Sequence, residues 1–296
     1  MELNDLRLFA CAARHASLQQ AAAELHLTPS ALSKAIKRLE QSLRTPLFER
    51  QGKGLLLNEA GARLQQRALA LLHLAEQTRA EFAGAAHAVD CRLAGPALLL
   101  ARYAPAAAAA LQGLGSAARL RLLDLFELEA LQALQRGEAD FALVSAAVLT
   151  GYAAPAGLAR LALETLPMRL GLAPQHPLAA ARNVGATELE QADFVCPTRS
   201  LFCGLRRGPG SDGWRDEALP RRIRYRVDDL HSLLTMVRSG HALAYLPEFL
   251  IRQEGLLAKP LRGAPFHCEE QALLLWRPAA AMGWQARWVE ALRSLV

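Results

Sequence analysis

Residues 17–40 have the sequence SLQQAAAELHLTPSALSKAIKRLE, and this stretch decides the fold of the amino-terminal region. Ser17 followed three residues later by Gln20 predicts a helix start, because the serine oxygen accepts a backbone N–H and the glutamine reaches back to the cap. Thr28 followed by Pro29 predicts a second start, since threonine is a good cap and proline suits the first helical position. Two capped helices joined by a tight turn are typical of a helix-turn-helix motif.

The second predicted helix has an apolar face and a polar face. Helical spacing of the apolar residues predicts burial of Leu32, Ala35, Ile36 and Leu39. The opposite face carries hydroxyl groups and cations without a carboxylate, which suits phosphates and base edges. We therefore predict that DNA is contacted by Ser17, Thr28, Pro29, Ser30, Ser33, Lys34, Lys37 and Arg38. A solvated basic helix face is the alternative interpretation.

A wing is predicted directly after this motif. Residues 47–50 and 55–57 are expected to form two short strands, and the glycines between them suit a hairpin turn. Arg50 and Lys53 near the turn are predicted to reach phosphates or a narrow minor groove, where the potential is negative. A first helix is expected to brace the motif from behind through Leu6, Phe9, Ala10 and Ala13.

A long set of residues in fixed register runs through this region: Leu3, Asp5, Leu6, Phe9, Ala13, Ser17, Ala21, Ala22, Leu25, Leu27, Thr28, Ser30, Ala31, Leu32, Ser33, Ile36, Leu39, Glu40, Leu43, Pro46, Leu47, Phe48, Arg50, Asn58, Glu59, Ala60 and Gly61. This set closely resembles the N-terminal domain of LysR-type transcriptional regulators. The resemblance implies a winged helix-turn-helix that binds DNA. Pro29 stands where the family often has glutamine, which concerns base preference rather than the fold.

A long helix is predicted to follow, with Asn58 as its cap and its end near residue 86. Apolar residues at alternating steps of three and four predict a heptad seam of Leu64, Ala68, Leu71, Ala75, Thr78 and Phe82. We expect this seam to pair with a second copy of the chain, because the N-terminal core needs no further cover. Packing against its own domain is the alternative. The resemblance agrees with pairing, since this helix is the dimerisation linker of the family.

Beyond residue 90, apolar strand-like runs alternate with helical runs, which predicts a parallel sheet with helices on its faces. The fold class is therefore α/β overall. Residues 136–140, 176–179 and 240–247 resemble the family's effector domain, which has two Rossmann-like lobes like those of periplasmic binding proteins. The expected domains are 1–58 for the winged helix-turn-helix, 59–87 for the linker helix and 91–296 for the effector domain, with lobe I at 91–162 and 266–296 and lobe II at 163–265.

Effector-binding residues are predicted from where the strands end. Ligands of open α/β sheets lie beyond the carboxyl ends of strands, against helix N-termini with free N–H groups. Family members that bind carboxylates often have a hydroxyl in the first such segment, and residues 96–99 have none. Either the ligand is less polar, or backbone N–H groups and Arg102 or Arg199 hold an anion. The candidates are Ala97, Leu98, Leu99, Arg102, Ser145, Thr198, Arg199, Ser200, Val227 and Tyr245.

Charge and motifs narrow the class of protein. Six of the 34 Lys and Arg residues lie between Thr28 and Lys53 against two acids, so most of the net charge of +6 is local and favours nucleic acid. The amino terminus lacks an apolar leader and no membrane-spanning run occurs, so we expect a cytoplasmic protein. Neither enzyme, metal nor cofactor motifs are present. The GxGxxG match at residues 208–213 is interpreted as an exposed loop, because no strand directly precedes it.

Two alternatives and several partners complete these expectations. Cys196 and Cys203 lie seven residues apart, which leaves open a redox-sensing regulator of the same family. A two-lobed small-molecule binding protein that does not bind DNA is the competing class. The expected partners are double-stranded promoter DNA, a small-molecule effector of unknown identity, further copies of the chain as a homodimer or homotetramer, and RNA polymerase.

Overall fold

The structure is a computed structural model, and it describes residues 1–15, 17–51, 54–82, 89–115, 117–151, 157–278 and 283–295. Among these residues, no helix is both long enough and apolar enough to span a membrane. The chain forms an amino-terminal head, one long helix and a larger α/β part with two lobes.

The head is a winged helix-turn-helix, as predicted. Phe48 lies opposite Leu57 in the antiparallel hairpin that forms the wing. The elements are the helices α1 (Leu3–Ala12), α2 (Leu18–Glu24) and α3 (Pro29–Leu43), followed by the strands β1 (Phe48–Gln51) and β2 (Gly54–Leu57).

Two small apolar clusters, both in contact with Phe48, hold the head together. Leu6 and Phe9 of α1 are buried against Leu39 of α3, and the Phe9 ring meets the Phe48 ring edge-on with centroids 5.5 Å apart. The Leu47 backbone N–H donates to Glu40 Oε1 at 2.7 Å, which ties the wing to the end of α3. The wing and the helices therefore form one unit.

The linker helix α4 spans Glu59–Phe82, and residues 83–86 of its predicted end lie outside the described residues. Its cap is as predicted, because Asn58 Oδ1 accepts the Gly61 backbone N–H at 2.8 Å. The predicted seam is corrected in its first half: Leu64 and Ala68 face α1 and pack into the core of the head. Apolar surface remains further along, where Leu71 is 40% exposed and Leu74 is 38% exposed.

Lobe I begins with a parallel arrangement. The strand β3 (Asp90–Gly95) lies between β4 (Arg119–Asp124) and β5 (Phe141–Ser145) and pairs in parallel with both. The covering helices are α5 (Ala97–Gln112), α6 (Glu127–Arg136) and α7 (Ala146–Gly151).

The remaining elements return from lobe II to lobe I. In chain order they are β6 (Ala159–Leu172), α8 (Ala186–Glu190), β7 (Asp193–Pro197), β8 (Arg222–Val227), α9 (Leu230–Arg238), β9 (Ala244–Pro247), α10 (Glu248–Gln253), β10 (Leu257–Lys259), β11 (Glu269–Trp276) and α11 (Gly283–Arg293).

The main sheet is mixed, whereas the sequence predicted a parallel one. Its order is β10-β6-β11-β5-β3-β4, with β9 also on β6, and β6 and β11 run antiparallel to each of their neighbours. The first half of β6 escaped prediction because it is only half-buried, so its hydrophobic pattern is weak. Since β6 runs continuously past residues 162 and 163, the exact limits of the two lobes stay predictions.

The linker helix also touches lobe I. It contacts α6, and Gly137, which ends α6 with a φ of 74°, lies against the backbone of Leu69. A Cβ on Gly137 would lie 3.6 Å from the Leu69 carbonyl carbon and 3.3 Å from the Arg277 guanidinium. The end of α6 at Gly137 therefore forms the surface of lobe I that contacts α4, and we call this surface the seat of α4.

Candidate nucleic-acid interface and effector cleft

Both helices of the DNA-binding motif begin at the predicted caps. Ser17 Oγ accepts the Gln20 backbone N–H at 3.3 Å, and Thr28 Oγ1 accepts the Ala31 backbone N–H at 3.2 Å. Pro29 occupies the first position of α3, where its missing N–H costs nothing. The Ser17 and Thr28 oxygens thus accept backbone N–H groups. Among the described residues, neither hydroxyl group donates a hydrogen bond.

The polar face of α3 is open to solvent. Leu32, Ala35, Ile36 and Leu39 are buried as predicted, so the helix turns its other side outward. Within the described part of the chain, no ion pair or hydrogen bond joins the ammonium group of Lys34 or Lys37 to an acid. The exposed residues of this face are Ser30, Ser33, Lys34, Lys37 and Gln41.

Arg38 has a structural partner. Its guanidinium pairs with both carboxylate oxygens of Asp5, with Nε 3.3 Å from Oδ2, and Asp5 is only 3% exposed. The hydrogen bond from Arg38 holds the pKa of the Asp5 carboxyl below its usual value. Arg38 therefore fastens α1 to α3, and since its side chain is 64% exposed, the DNA contact that its sequence position predicted stays a prediction.

The wing contacts stay predictions. Arg50 lies in β1 opposite Leu55, one pair of residues before the turn. The Arg50 side chain and all of Lys53 lie outside the described residues.

A cavity of about 210 Å³ opens between the start of α5 and the lobe II loop that follows β7. The aromatic part of its wall is well fixed, because the Trp214 ring meets the Tyr245 and Phe266 rings edge-on at 5.2 Å and 5.4 Å. The apolar wall residues include Leu98, Met168, Phe202, Trp214, Tyr245 and Leu246, and the polar ones include Ser200, Arg207, Ser211, Asp212, Cys268 and Glu270.

Three of the ten predicted effector residues line this cavity: Leu98, Ser200 and Tyr245. Ser200 also accepts the backbone N–H groups of Phe202 and Cys203, so its hydroxyl shapes the wall. The others lie elsewhere. Leu99 is in the core, Ala97 and Val227 are half-buried beside the wall elements, and Thr198 bonds to Asp228.

Neither arginine that was expected to hold an anion lines the cavity. Arg102 Nε donates to Glu164 Oε1 at 2.6 Å, on a separate groove beside Phe249. The Arg199 guanidinium lies 5.2 Å from the centre of the Phe126 ring. The cation that does line the cavity is Arg207, which the strand-end rule did not select.

Sequence reasoning selected Ser200 at the start of the loop after β7 but missed Arg207, Ser211 and Asp212 of the same loop, which also line the cavity. Its organiser is Arg221, whose side chain is fully buried and donates to Asp212 Oδ2 at 2.7 Å and to Asp216 Oδ1 at 2.9 Å. The guanidinium also lies 4.9 Å from the Trp214 ring centre. Burial by itself would lower the pKa of Arg221, and the hydrogen bonds that Arg221 donates to Asp212 and Asp216, with the negative charge of Asp212, more than offset that effect and raise it.

The GxGxxG match at residues 208–213 belongs to this loop, and the prediction that it is exposed holds for only part of it. Residues 207–209 are exposed, but Gly210 and Ser211 are buried. A Cβ on Gly210 would lie 2.0 Å from Arg221 Nη2, so glycine makes room for the buried arginine. The repeated glycines were the available signal that something large packs against this loop.

Ser145 lies in a buried polar cluster at the junction of the lobes. Its backbone N–H donates to Glu127 Oε1 at 2.5 Å, and burial raises the pKa of the Glu127 carboxyl. Burial also raises the pKa of Glu270, which lines the cavity. Ser145 therefore supports the wall rather than forming it.

Two domain families match the chain and together account for most of it. Residues 3–62 match the bacterial regulatory helix-turn-helix protein, lysR family. Residues 85–294 match the LysR substrate binding domain, which is more than half of the chain. The chain belongs to the LysR family.

Three known members of the LysR family illustrate the similarity. The HTH-type transcriptional regulator CzcR of Bacillus subtilis is 45% identical over 64 residues, which are 22% of this chain and 22% of that protein. The RuBisCO operon transcriptional regulator of Allochromatium vinosum is 32% identical over 202 residues, 66% of this chain and 63% of that protein. The chain thus spans less than two thirds of the length of these curated relatives.

The third is a solved structure, full-length LysG from Corynebacterium glutamicum with bound effector Arg. It has 23% sequence identity and a TM-score of 0.65, and the match covers 99% of this chain and 97% of that one. At this identity the similarity shows the fold of the LysR family and no more.

The cysteines of this LysR protein do not form a reactive pair in the structure. Cys196 on β7 is fully buried and Cys203 is 8% exposed, and both are free thiols. Burial raises the pKa of the Cys196 thiol, and the thiolate is the reactive form. The surroundings of Cys196 thus disfavour the redox-sensing alternative.

The sequence predicted no metal ligands, because the cysteines lack partners at ligand spacing. The fold nevertheless brings one ligand atom each from Cys11, His15 and Glu24 within 4.8 Å of one another. Glu24 arrives on a different helix, so no local spacing rule could have revealed this cluster.

Proposed function

We propose that this LysR-family protein is a sequence-specific DNA-binding transcriptional regulator controlled by a small-molecule effector in the cleft of its C-terminal domain. The observation that carries the proposal is the solvent-exposed face of α3, where Lys34 and Lys37 stand beside Ser30 and Ser33. A domain used only for assembly would not need two cations without acidic partners on its most exposed helix. The proposal includes no catalytic role.

Replacing Lys34 and Lys37 together by alanine should weaken binding to duplex DNA by roughly 100-fold, about tenfold for each lost phosphate contact. The same change should make the slope of log affinity against log salt shallower by about one for each contact. Fluorescence anisotropy with a labelled promoter fragment, titrated at several salt concentrations, measures both quantities.

The matched control is Arg182→Ala, which removes an exposed cation from lobe II. This variant should bind DNA like the wild type. Equal affinity and equal salt slope for the wild type and the double lysine variant would contradict the assignment of the α3 face.

The regulator is proposed to act as a homodimer or homotetramer, with RNA polymerase as a further partner in the cytoplasm. The second half of α4 supports self-association, because Leu71 and Leu74 present apolar side chains to solvent. Two copies joined there would offer two reading heads to a two-fold related DNA site.

The effector is proposed to be small, with an apolar part that packs on the aromatic wall and a polar part that faces the charged side chains. The cavity holds about 210 Å³ and combines the aromatic rings of Phe202, Trp214 and Tyr245 with a polar side formed by Arg207 and Glu270. An apolar pocket with a few placed polar groups is the usual design of a small-molecule site.

Ligand binding should change the fluorescence of Trp214, because it is the tryptophan of the cavity wall. The test first screens a panel of metabolites for those that raise the melting temperature of the wild type. These ligands should then alter the tryptophan emission of the wild type but not that of Trp214→Phe. Trp284→Phe is the control, since Trp284 packs in the lobe I core and its loss should leave the response intact. Ligands that stabilise the protein while the Trp214 emission stays constant would contradict the proposed site.

A further inference from the structure

Three different ligand side chains converge where α1 meets α2. Cys11 lies in the last turn of α1, His15 follows four residues later, and Glu24 ends α2. Their ligand atoms all lie within 4.8 Å of one another. We propose that Cys11, His15 and Glu24 form a binding site for a zinc ion.

The chemistry of the three donors fits zinc. Zinc takes cysteine sulfur, histidine nitrogen and carboxylate oxygen, usually in a tetrahedron. Bond lengths of about 2.0 to 2.3 Å require donor atoms about 3.3 to 3.6 Å apart. His15 Nε2 and Glu24 Oε2 now form a hydrogen bond of 2.6 Å, and its proton would leave to solvent as the ion separates the two atoms. Small side-chain rotations therefore suffice to close the site.

Burial and access also fit a bound ion. Cys11 is 3% exposed and its Sγ donates a long hydrogen bond of 3.8 Å to the Ala21 carbonyl oxygen, a weak bond that a metal–sulfur bond would replace. His15 is half-buried and Glu24 is exposed, which leaves a path from solvent and a fourth position for water. The thiol proton leaves to solvent as the sulfur binds.

The charges balance around the proposed site. A Cys11 thiolate and the Glu24 carboxylate together neutralise a doubly charged ion. Arg14 contacts the other carboxylate oxygen, with Nη2 2.7 Å from Glu24 Oε1, so Oε2 stays available to the metal. Arg14 is 57% exposed and free to swing into solvent when the ion enters.

A zinc ion at this place would fasten α2 to α1, the two helices behind α3. The inference concerns a separate site from the effector cleft and does not depend on ligand or DNA binding. It adds a metal response to a head that otherwise relies on two small apolar clusters.

The test is titration of the reduced, metal-free full-length protein with Co²⁺, followed by competition of Zn²⁺ against a chromophoric chelator. We expect one ion per chain and a thiolate-to-cobalt charge-transfer band in the near ultraviolet. Cys11→Ser should abolish the band, and His15→Gln and Glu24→Gln should each weaken zinc binding at least tenfold. Cys268→Ser and His26→Asn are controls with the same residue types outside the cluster, and they should bind zinc like the wild type.

Several outcomes would overturn the proposal. One is the absence of a charge-transfer band in the wild type, and another is its persistence in Cys11→Ser. Glu24→Gln changes an exposed side chain and therefore should not disturb folding, which circular dichroism checks. Wild-type zinc affinity in folded Glu24→Gln and His15→Gln proteins would also remove the site.

Discussion

Arg221→Met should lower the free energy of unfolding of the effector domain by about 3 to 5 kcal/mol, the usual cost of removing one partner from a buried ion pair. The Arg221 side chain is fully buried, and its two carboxylate partners are only 4% and 15% exposed. Without the guanidinium, Asp212 and Asp216 would be buried charges with no cation. Trp214 would lose its stacking partner as well, so the cavity wall should loosen.

Urea unfolding followed by tryptophan fluorescence measures this effect, because Trp214 lies against Arg221. The control is Arg222→Met, which removes the next residue. Its side chain is 56% exposed and pairs with Asp193 at the surface, so the expected loss is under about 1 kcal/mol. Adding Asp212→Asn and Asp216→Asn to Arg221→Met should restore part of the stability. Equal stabilities of Arg221→Met and Arg222→Met would refute the role of the buried cluster.

Gly61→Ala should destabilise the head by about 3 kcal/mol, because the added methyl group meets backbone that cannot move freely. Its Cβ would lie 2.0 Å from the Leu47 carbonyl oxygen and 2.8 Å from Leu57 Cδ2. The gain of about 1 kcal/mol in helix propensity from glycine to alanine is too small to offset this clash. The start of α4 would have to move away from the wing, and DNA affinity should fall with it.

Differential scanning calorimetry suits this variant, since the tryptophans all lie beyond residue 200 and do not report on the head. Gly113→Ala is the control, because Gly113 has a φ of −66° and its nearest Cβ contact would be an ordinary 3.6 Å. That variant should be as stable as the wild type, or more stable by up to about 1 kcal/mol. A melting profile of Gly61→Ala that matches the wild type would show that the wing and α4 can separate without cost.

The head was predictable because its signals are local. Ser17 and Thr28 cap the helices that they were expected to cap, and the burial of Leu32 and Leu39 follows from spacing along one helix. The partner of Arg38 was not predictable, since Asp5 lies 33 residues away and reaches it only through the packing of α1 on α3. Local rules thus gave the helices, and the tertiary fold decided the role of an individual charge.

The effector cleft was predicted less well because its walls come from distant segments. Strand ends indicated Leu98, Ser200 and Tyr245, which line the cavity, but the same rule selected Arg102, which pairs with Glu164 on another surface. The loop after β7 has no regular structure for most of its length, so no periodicity reveals which of its residues turn inward. The close approach of Arg221 explains Gly210, and positive φ values explain Gly204, Gly208 and Gly213, and neither is visible in the sequence.

The contact of α4 with its seat at Gly137 has a mechanical consequence. The 24 residues of α4 make a rod of about 36 Å, which joins the reading head at one end and touches the effector domain part-way along. The seat lies at Leu69, ten residues and so about 15 Å from the start of α4, and a tilt of about 12° there would move the head end of the rod by about 3 Å, close to the rise of one base pair along a duplex. A small hinge motion of the lobes would then change the spacing of two heads by about one base pair of DNA.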